Sequence, residues 1–177
     1  TDVAEAGVEA AGEQEGVAEK EPWEMTLSEF ETQAIPSEEA AKIIEKRRAG
    51  DKRSKNRGRL SKERPTPPMV ETRIDIAAFR PKTIRYMRES TNAERIKAYT
   101  SQSIDTPITL RANQKGDIVV DDGGHRLLAA IDRGDTDIAA LVDVNAHKAL
   151  VKHAVASGRP VPAEVLADYP GLQQDTP

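Results

Sequence analysis

The chain contains no cysteine, very few aromatic residues and no long apolar run. Without cysteine it can form no disulfide, no thiol nucleophile and no zinc–thiolate site. No apolar run approaches the roughly 18 residues of a membrane span, and no secretory signal is visible. Because 32% of the residues are charged and 3% aromatic, we expect a sizeable disordered fraction around one folded domain.

The charge is distributed unevenly along the chain, whose net charge is −4. Residues 1–31 hold ten acidic residues against one lysine, whereas residues 42–64 hold eleven basic residues against three acidic ones. This asymmetry predicts an acidic tail and a basic arm. The arm would lie along nucleic-acid phosphates or fold back on the acidic tail.

Composition and hydrophobic period together divide the chain into five segments. They are a disordered acidic tail (1–21), a short helical segment (22–50), a basic Pro-containing linker (51–69), a folded domain (70–144) and a helical C-terminal extension (145–177). Within the folded domain, strands are expected at 72–76, 107–110, 117–121 and 138–144, and helices at 91–104 and 125–133. The expected fold class is α+β, a small mixed sheet with helices packed on it.

Two pairs of residues mark a helix start in the segment 22–50. Thr26 and Glu29 have the spacing of a capping box, and Met25 and Phe30 have the spacing of a hydrophobic staple. A short helix should therefore begin at Leu27, followed by a second one over 38–49. Further along, Thr91 and Glu94 have capping-box spacing too, and Gly134 is placed to end the helix 125–133.

Residues 117–126 are the most informative stretch of the chain. A β-type run ends in Asp121 and Asp122, two glycines follow, and His125 and Arg126 open a helix-type run. Glycines let backbone N–H groups approach an anion closely, and the first N–H groups of a helix point at it. The alternative interpretation is a tight turn into a helix and nothing more.

The segment Asp-Gly-Gly-His-Arg, after a Val-Val-Asp strand and before Leu-Leu-Ala-Ala, resembles the signature of the ParB/sulfiredoxin superfamily. The resemblance covers roughly residues 70–144 and implies a ParB-like nuclease domain with a sulfiredoxin-like fold. It implies that Gly123 and Gly124 bind nucleotide (ATP or CTP) or DNA phosphates through their N–H groups, with His125 and Arg126 contacting the phosphate. Sulfiredoxin itself has a reactive Cys where this chain has Gly124, so sulfinic-acid reduction is excluded.

Within the superfamily, DNA-partitioning members add a helix-turn-helix domain after this box, and too few residues follow Val144 here for that domain plus a dimerisation unit, which argues against a sliding-clamp role. Other relatives are nucleases, ATPases or small-molecule kinases. A hydrolase that cleaves phosphodiesters or NTP with Mg²⁺ or Mn²⁺ is therefore the expected activity. Asp121 and Asp122 are the candidate metal ligands, because hard oxygen ligands suit these ions. The candidate catalytic residues are Asp122, His125, as acid or base, and Arg126; a turn-stabilising role for either aspartate is the alternative.

Other residues could carry binding. Arg80, Arg85 and Arg88, interleaved with Tyr86, would line a nucleic-acid groove, or would lie in a solvated loop and pair with nearby acids. His147 and His153 are six residues apart on one predicted helix, which is not the spacing of a metal pair on a helix. They are expected at the surface or the edge of the core.

Two further stretches, 22–26 and 161–170, are similar to connecting segments of polyvalent proteins of phages and conjugative elements. Together with a first residue that is Thr1 rather than Met, this favours a module of a longer protein. We expect the protein in the cytoplasm of a bacterial cell. Delivery into that cell by a phage is one route that this hypothesis allows. The competing class is a non-catalytic DNA- or protein-binding module, in which residues 22–50 and Trp23 dock a partner.

Overall fold

A computed structural model describes residues 20–49, 65–101 and 106–175. Most of the predicted acidic tail (1–21) and most of the predicted basic linker (51–69) lie outside these ranges. The described residues form an α+β fold with a four-stranded mixed sheet, which confirms the predicted class. In these ranges no helix has the length and apolarity needed to cross a membrane.

The sheet contains four strands in the order β1-β4-β2-β3. Strand β4 runs antiparallel to β1 and parallel to β2, and β2 and β3 form an antiparallel pair with a register shift between Thr109 and Leu110. Each strand starts within three residues of its predicted position. Their bounds are β1 (Met69–Asp75), β2 (Ile108–Ala112), β3 (Ile118–Asp122) and β4 (Asp137–Asp143).

Seven α-helices accompany the sheet in the described ranges. They are α1 (Leu27–Thr32), α2 (Ser37–Ala49), α3 (Pro81–Ser90), α4 (Ala93–Thr100), α5 (Gly124–Arg133), α6 (His147–Ala156) and α7 (Ala163–Ala167). Short 3₁₀ turns occur at Pro22–Glu24, Ile76–Ala78, Val144–Ala146 and Pro170–Asp175.

Two of these helices differ from the sequence prediction. Helix α3 occupies a segment for which a loop was one interpretation. Helix α4 is capped by Asn92, whose side-chain oxygen accepts the N–H groups of Glu94 and Arg95 at 2.9 and 3.1 Å. The predicted cap at Thr91 is therefore wrong, because the asparagine one position later satisfies two N–H groups at once. The predicted end at 104 falls partly in 102–105, outside the described residues.

Helix α1 begins as its sequence predicts. Thr26 Oγ1 accepts the N–H of Glu29 at 3.2 Å, and the Glu29 carboxylate accepts the N–H of Thr26 at 2.8 Å. A hydrogen bond from Lys20, with the backbone bond from Thr26, lowers the pKa of the exposed Glu29 to about 2. Met25 and Phe30 are both buried in the main core, as the staple requires.

Both faces of the sheet are covered. Side chains of β4 alternate, so that Ile138, Ala140 and Val142 enter the main core, whereas Leu141 packs with α2 on the opposite face. The main core also takes residues of α1, α5 and α6. The segments that the sequence analysis places outside the domain, 22–50 and 145–177, therefore contribute residues of α1, α2 and α6 to the cores on the sheet.

Candidate functional site

The turn between β3 and α5 is built around two glycines, the first of which cannot be replaced without strain. Gly123 adopts the left-handed conformation with φ of 95°. A Cβ there would lie 2.7 Å from both Ile108 Cγ2 and Arg126 Nη2, and a Cβ at Gly124 would lie 3.1 Å from Met87 Cε. The chain thus needs glycine at position 123 for conformation and space, and α3 lies directly against the first residue of α5.

The start of α5 carries no side-chain cap. Gly123 is the N-cap, and its carbonyl oxygen accepts the N–H groups of Arg126 and Leu127 at 2.9 and 3.0 Å. The N–H groups at the start of a helix have no carbonyl partner within that helix, and together they carry about half a positive charge. Among the described residues no side chain makes a capping hydrogen bond at this end of α5, an arrangement in which helix starts bind anions.

Arg126 is engaged with other residues of the protein beside the turn. Its side chain is 12% exposed, and its guanidinium contacts the Asp122 carboxylate at 3.2 Å and the carbonyl oxygen of Thr106 at 3.3 Å. These contacts join the end of β3 to the chain just before β2. In this arrangement Arg126 shapes the turn and neutralises Asp122, and direct contact with a phosphate stays a prediction.

His125 is half-buried between the turn and α4. Its ring centroid lies 6.3 Å from that of Tyr99, with 52° between the ring planes. The ring thus stands beside the open end of α5, next to an aromatic residue of the neighbouring helix. Its predicted roles, in phosphate contact and in proton transfer, stay predictions.

Asp121 and Asp122 are each engaged with a different arginine. Asp121 Oδ2 lies 3.5 Å from Arg111 Nε, and Asp122 pairs with Arg126. Consecutive residues of a strand point to opposite faces of a sheet. The two carboxylates are therefore not placed to bind the same metal ion. Among the described residues no three His, Cys, Asp or Glu side chains are grouped so that they could hold a metal ion.

The three arginines predicted to contact nucleic acid divide into two kinds. Arg80 Nη2 lies 2.7 Å from Asp117 Oδ1, and Arg88 makes two hydrogen bonds to Asp132, at 2.8 and 3.2 Å. Arg85 is exposed on α3. The alternative of pairing with acids therefore holds for Arg80 and Arg88, although the segment is a helix rather than a loop.

The sequence prediction for the burial of His147 is wrong. This histidine was expected at the surface or the core edge, yet its exposure is 0%. Its ring stacks on Phe30 at 4.6 Å between centroids, and its two nitrogens contact the Pro22 carbonyl at 2.9 Å and the Tyr169 hydroxyl at 2.7 Å. The signal available was its position on the buried face of α6, three residues before Leu150.

The chemistry of its partners fixes the tautomer of His147. A carbonyl oxygen only accepts, so Nε2 carries the proton and donates it to Pro22, and Nδ1 accepts the hydroxyl proton of Tyr169. Burial lowers the pKa of His147 below its ordinary value and raises the pKa of Tyr169 to about 12. The ring therefore joins the first and last described segments in its neutral form. His153, half-buried on the same helix, has its pKa lowered by burial as well.

Trp23 packs against the other side of this junction. It contacts the cluster formed by Val151, Val165, Tyr169 and Leu172, and the Arg159 guanidinium lies 4.5 Å from the centroid of its ring. Arg159 also pairs with Asp75 at the end of β1. Trp23 thus holds the chain's own segments together, which leaves its predicted role in docking a partner without support from its position.

No protein-family model, curated protein or solved structure matches this chain.

Proposed function

We propose that this protein binds phosphate groups, of a nucleotide or of a nucleic-acid backbone, at the turn between β3 and α5. The observation that carries the proposal is the start of α5, where a left-handed Gly123 leads into a helix without a side-chain cap. A phosphate oxygen there would accept N–H groups that nothing in the helix uses.

The charges around the turn are compatible with an anion. Asp121 and Asp122 stand beside it, and each is compensated by an arginine, Arg111 and Arg126 respectively. Because Arg126 also contacts the Thr106 carbonyl, it keeps the turn in shape while the helix end takes the phosphate. Because the arginines compensate the two carboxylates, the remaining charge that attracts an incoming phosphate is the positive end of the helix.

The same turn is the feature through which the chain resembles the ParB/sulfiredoxin superfamily, and we propose membership of that superfamily on this basis. A role in DNA processing by a phage or another mobile element is the biological setting that this proposal favours. The described α+β fold is compatible with it at the level of fold class.

The geometry supports binding better than hydrolysis. A metal-dependent nuclease or NTPase would use Asp122 to hold Mg²⁺ or Mn²⁺ and His125 as acid or base. Asp122 is paired with Arg126, and its neighbour Asp121 faces the other side of the strand. We therefore propose a binding module, and treat hydrolysis as an outcome that the experiment must test.

The test compares two glycine variants that carry similar backbone strain. Gly123→Ala places a Cβ in occupied space at the turn, whereas Gly134→Ala changes a left-handed glycine at the other end of the same helix, where nothing lies within 4 Å. Titration of labelled ATP, CTP and DNA at low salt is followed by fluorescence anisotropy. Gly123→Ala should raise Kd about tenfold or more, since charged hydrogen bonds are lost, and Gly134→Ala should leave Kd near that of the wild type. Arg126→Ala should weaken binding as well.

Equal affinities of the two glycine variants, or no binding of any of the three ligands by the wild type, would refute the proposal. Incubation of the wild type with plasmid and Mg²⁺ or Mn²⁺ separates the two classes of function. Cleavage that EDTA abolishes and that Arg126→Ala lacks would replace the binding module with an enzyme.

A further inference from the structure

We propose that the outer face of α3, formed by Lys82, Arg85 and Tyr86, is a stacking surface for unpaired bases of a single-stranded nucleic acid. This inference rests on the proposed function, and it names the class of ligand: a single strand whose bases contact α3 while its backbone reaches the turn before α5.

Tyr86 is the first observation behind this proposal. It is 70% exposed, and it is the one large hydrophobic side chain that the described part of the chain leaves exposed. Helix α3 packs on the domain through Ile84 and Met87, which are partly buried against the cores. A tyrosine ring in this position presents a flat face that every base can stack on.

The charges beside Tyr86 are the second observation. Lys82 precedes it by one helical turn and Arg85 by one residue, and both are exposed. The other two arginines of the segment, Arg80 and Arg88, are paired with Asp117 and Asp132, and so they fix α3 on the domain. The chain as a whole carries a net charge of −4, yet this face presents two cations around the exposed ring. Glu89, one turn further along, is exposed as well, so the face keeps a net positive charge, which complements a polyanion.

The position of α3 connects this face to the turn. Met87, the residue after Tyr86, has its Cε 3.1 Å from where a Cβ of Gly124 would stand. Helix α3 therefore lies against the first residue of α5, so the stacking surface and the turn belong to two elements in direct contact.

The exposed ring favours a single strand over a duplex. Bases inside a duplex have both faces covered by their neighbours and show only their edges in the grooves. A ring on the outside of a helix can stack only on a base that is unpaired. Duplex DNA would meet Lys82 and Arg85 but would gain nothing from Tyr86.

The test measures binding of a fluorescein-labelled oligothymidylate of about 20 nucleotides and of the matching duplex to the full chain, at about 50 mM salt. Tyr86→Ala should raise Kd for the single strand roughly tenfold, and Tyr86→Phe should stay within about twofold of the wild type, because the ring is retained. Affinity for the duplex should change little with either variant. Arg85→Ala should lower the salt dependence of single-strand binding by about one phosphate contact, whereas Lys148→Ala, which removes an exposed lysine of α6, should leave it unchanged.

Two results would overturn the stacking surface: equal single-strand affinities of Tyr86→Ala and wild type, or a wild type that binds the duplex as tightly as the single strand. Competition with inorganic phosphate distinguishes a wrong stacking surface from a wrong phosphate site at the turn. If the turn is correct, Gly123→Ala loses phosphate binding and Tyr86→Ala retains it. If the wild type binds no phosphate while Tyr86→Ala still loses the single strand, the turn is refuted and the stacking surface stands.

Discussion

Acidification from about pH 7.5 to about pH 5 should destabilise the fold, because His147 is held in a place that suits a neutral ring. Its Nε2 donates to the Pro22 carbonyl and its Nδ1 accepts from the Tyr169 hydroxyl. A second proton on the ring would sit on Nδ1, which could then no longer accept the hydrogen bond from the Tyr169 hydroxyl. Burial lowers the pKa of His147, and the smaller opposing effects come from the Pro22 and Met25 backbone and from Asp168 and Glu31.

The sign and size follow from the shifted pKa. An unfolded histidine titrates near its ordinary pKa of about 6.5, and the folded one titrates lower. Between the two values the unfolded chain binds a proton that the folded chain does not. The free energy of unfolding is therefore at its full value above about pH 6.5 and falls as the pH falls, by at most about 1.4 kcal/mol per pH unit for each such histidine.

Other groups must be separated from His147 in this measurement. The pKa of His153 is lowered as well, so the wild-type slope contains both histidines. Glu29, whose pKa is lowered to about 2, also loses its contribution on acidification, but only below its unfolded pKa of about 4.3. The interval between about pH 5 and about pH 6.5 therefore reports the histidines.

The assay is urea unfolding at a series of pH values, followed by the fluorescence of Trp23, the only tryptophan, which packs at the same junction. His147→Gln keeps an N–H donor for Pro22 but has no titrating group, and His153→Gln is the matched control. The slope of stability against pH should fall in each variant, and by more in His147→Gln. A curve for His147→Gln that runs parallel to that of the wild type would refute the reasoning, whatever its baseline stability.

Two substitutions in the N-terminal segment test its docking on the sheet. Phe30→Ala should lower the free energy of unfolding by about 3–5 kcal/mol, since Phe30 is fully buried and stacks on His147; a loss below about 1 kcal/mol in urea unfolding would mean that the segment is not part of the cooperative fold. Thr26→Ala should cost about 1 kcal/mol through the lost cap of α1, measured the same way, whereas Ser28→Ala, at an exposed position that caps nothing, should be near neutral.

The features that the sequence predicts well are those that neighbouring residues decide. The start of α1 follows from Thr26 and Glu29, which satisfy each other's N–H groups three residues apart. The end of α5 follows from Gly134, whose φ of 82° favours glycine. The turn at Gly123 belongs to the same class, because its glycines and the following helix are contiguous.

Features fixed by distant partners were harder to predict. Helix α3 has no fully buried side chain. It contacts the domain through the partly buried Ile84 and Met87 and through ion pairs with Asp117 and Asp132, 37 and 44 residues away from their arginines. The same limit applies to the site. That Arg126 faces Asp122 is compatible with their spacing of four, but its contact with the Thr106 carbonyl appears only once β2 lies beside β3.

The bond between His147 and Pro22 closes a loop of 125 residues, and this has a consequence for how the chain is made. A ribosome adds about 5–20 residues per second, so roughly 6–25 s separate the synthesis of Pro22 from that of His147. Throughout that interval the ring of Phe30 lacks the imidazole on which it will rest. The nascent chain therefore leaves the side chain of Phe30 without this partner until His147 has been synthesised, and a chaperone that binds short apolar peptides would find it exposed in that interval.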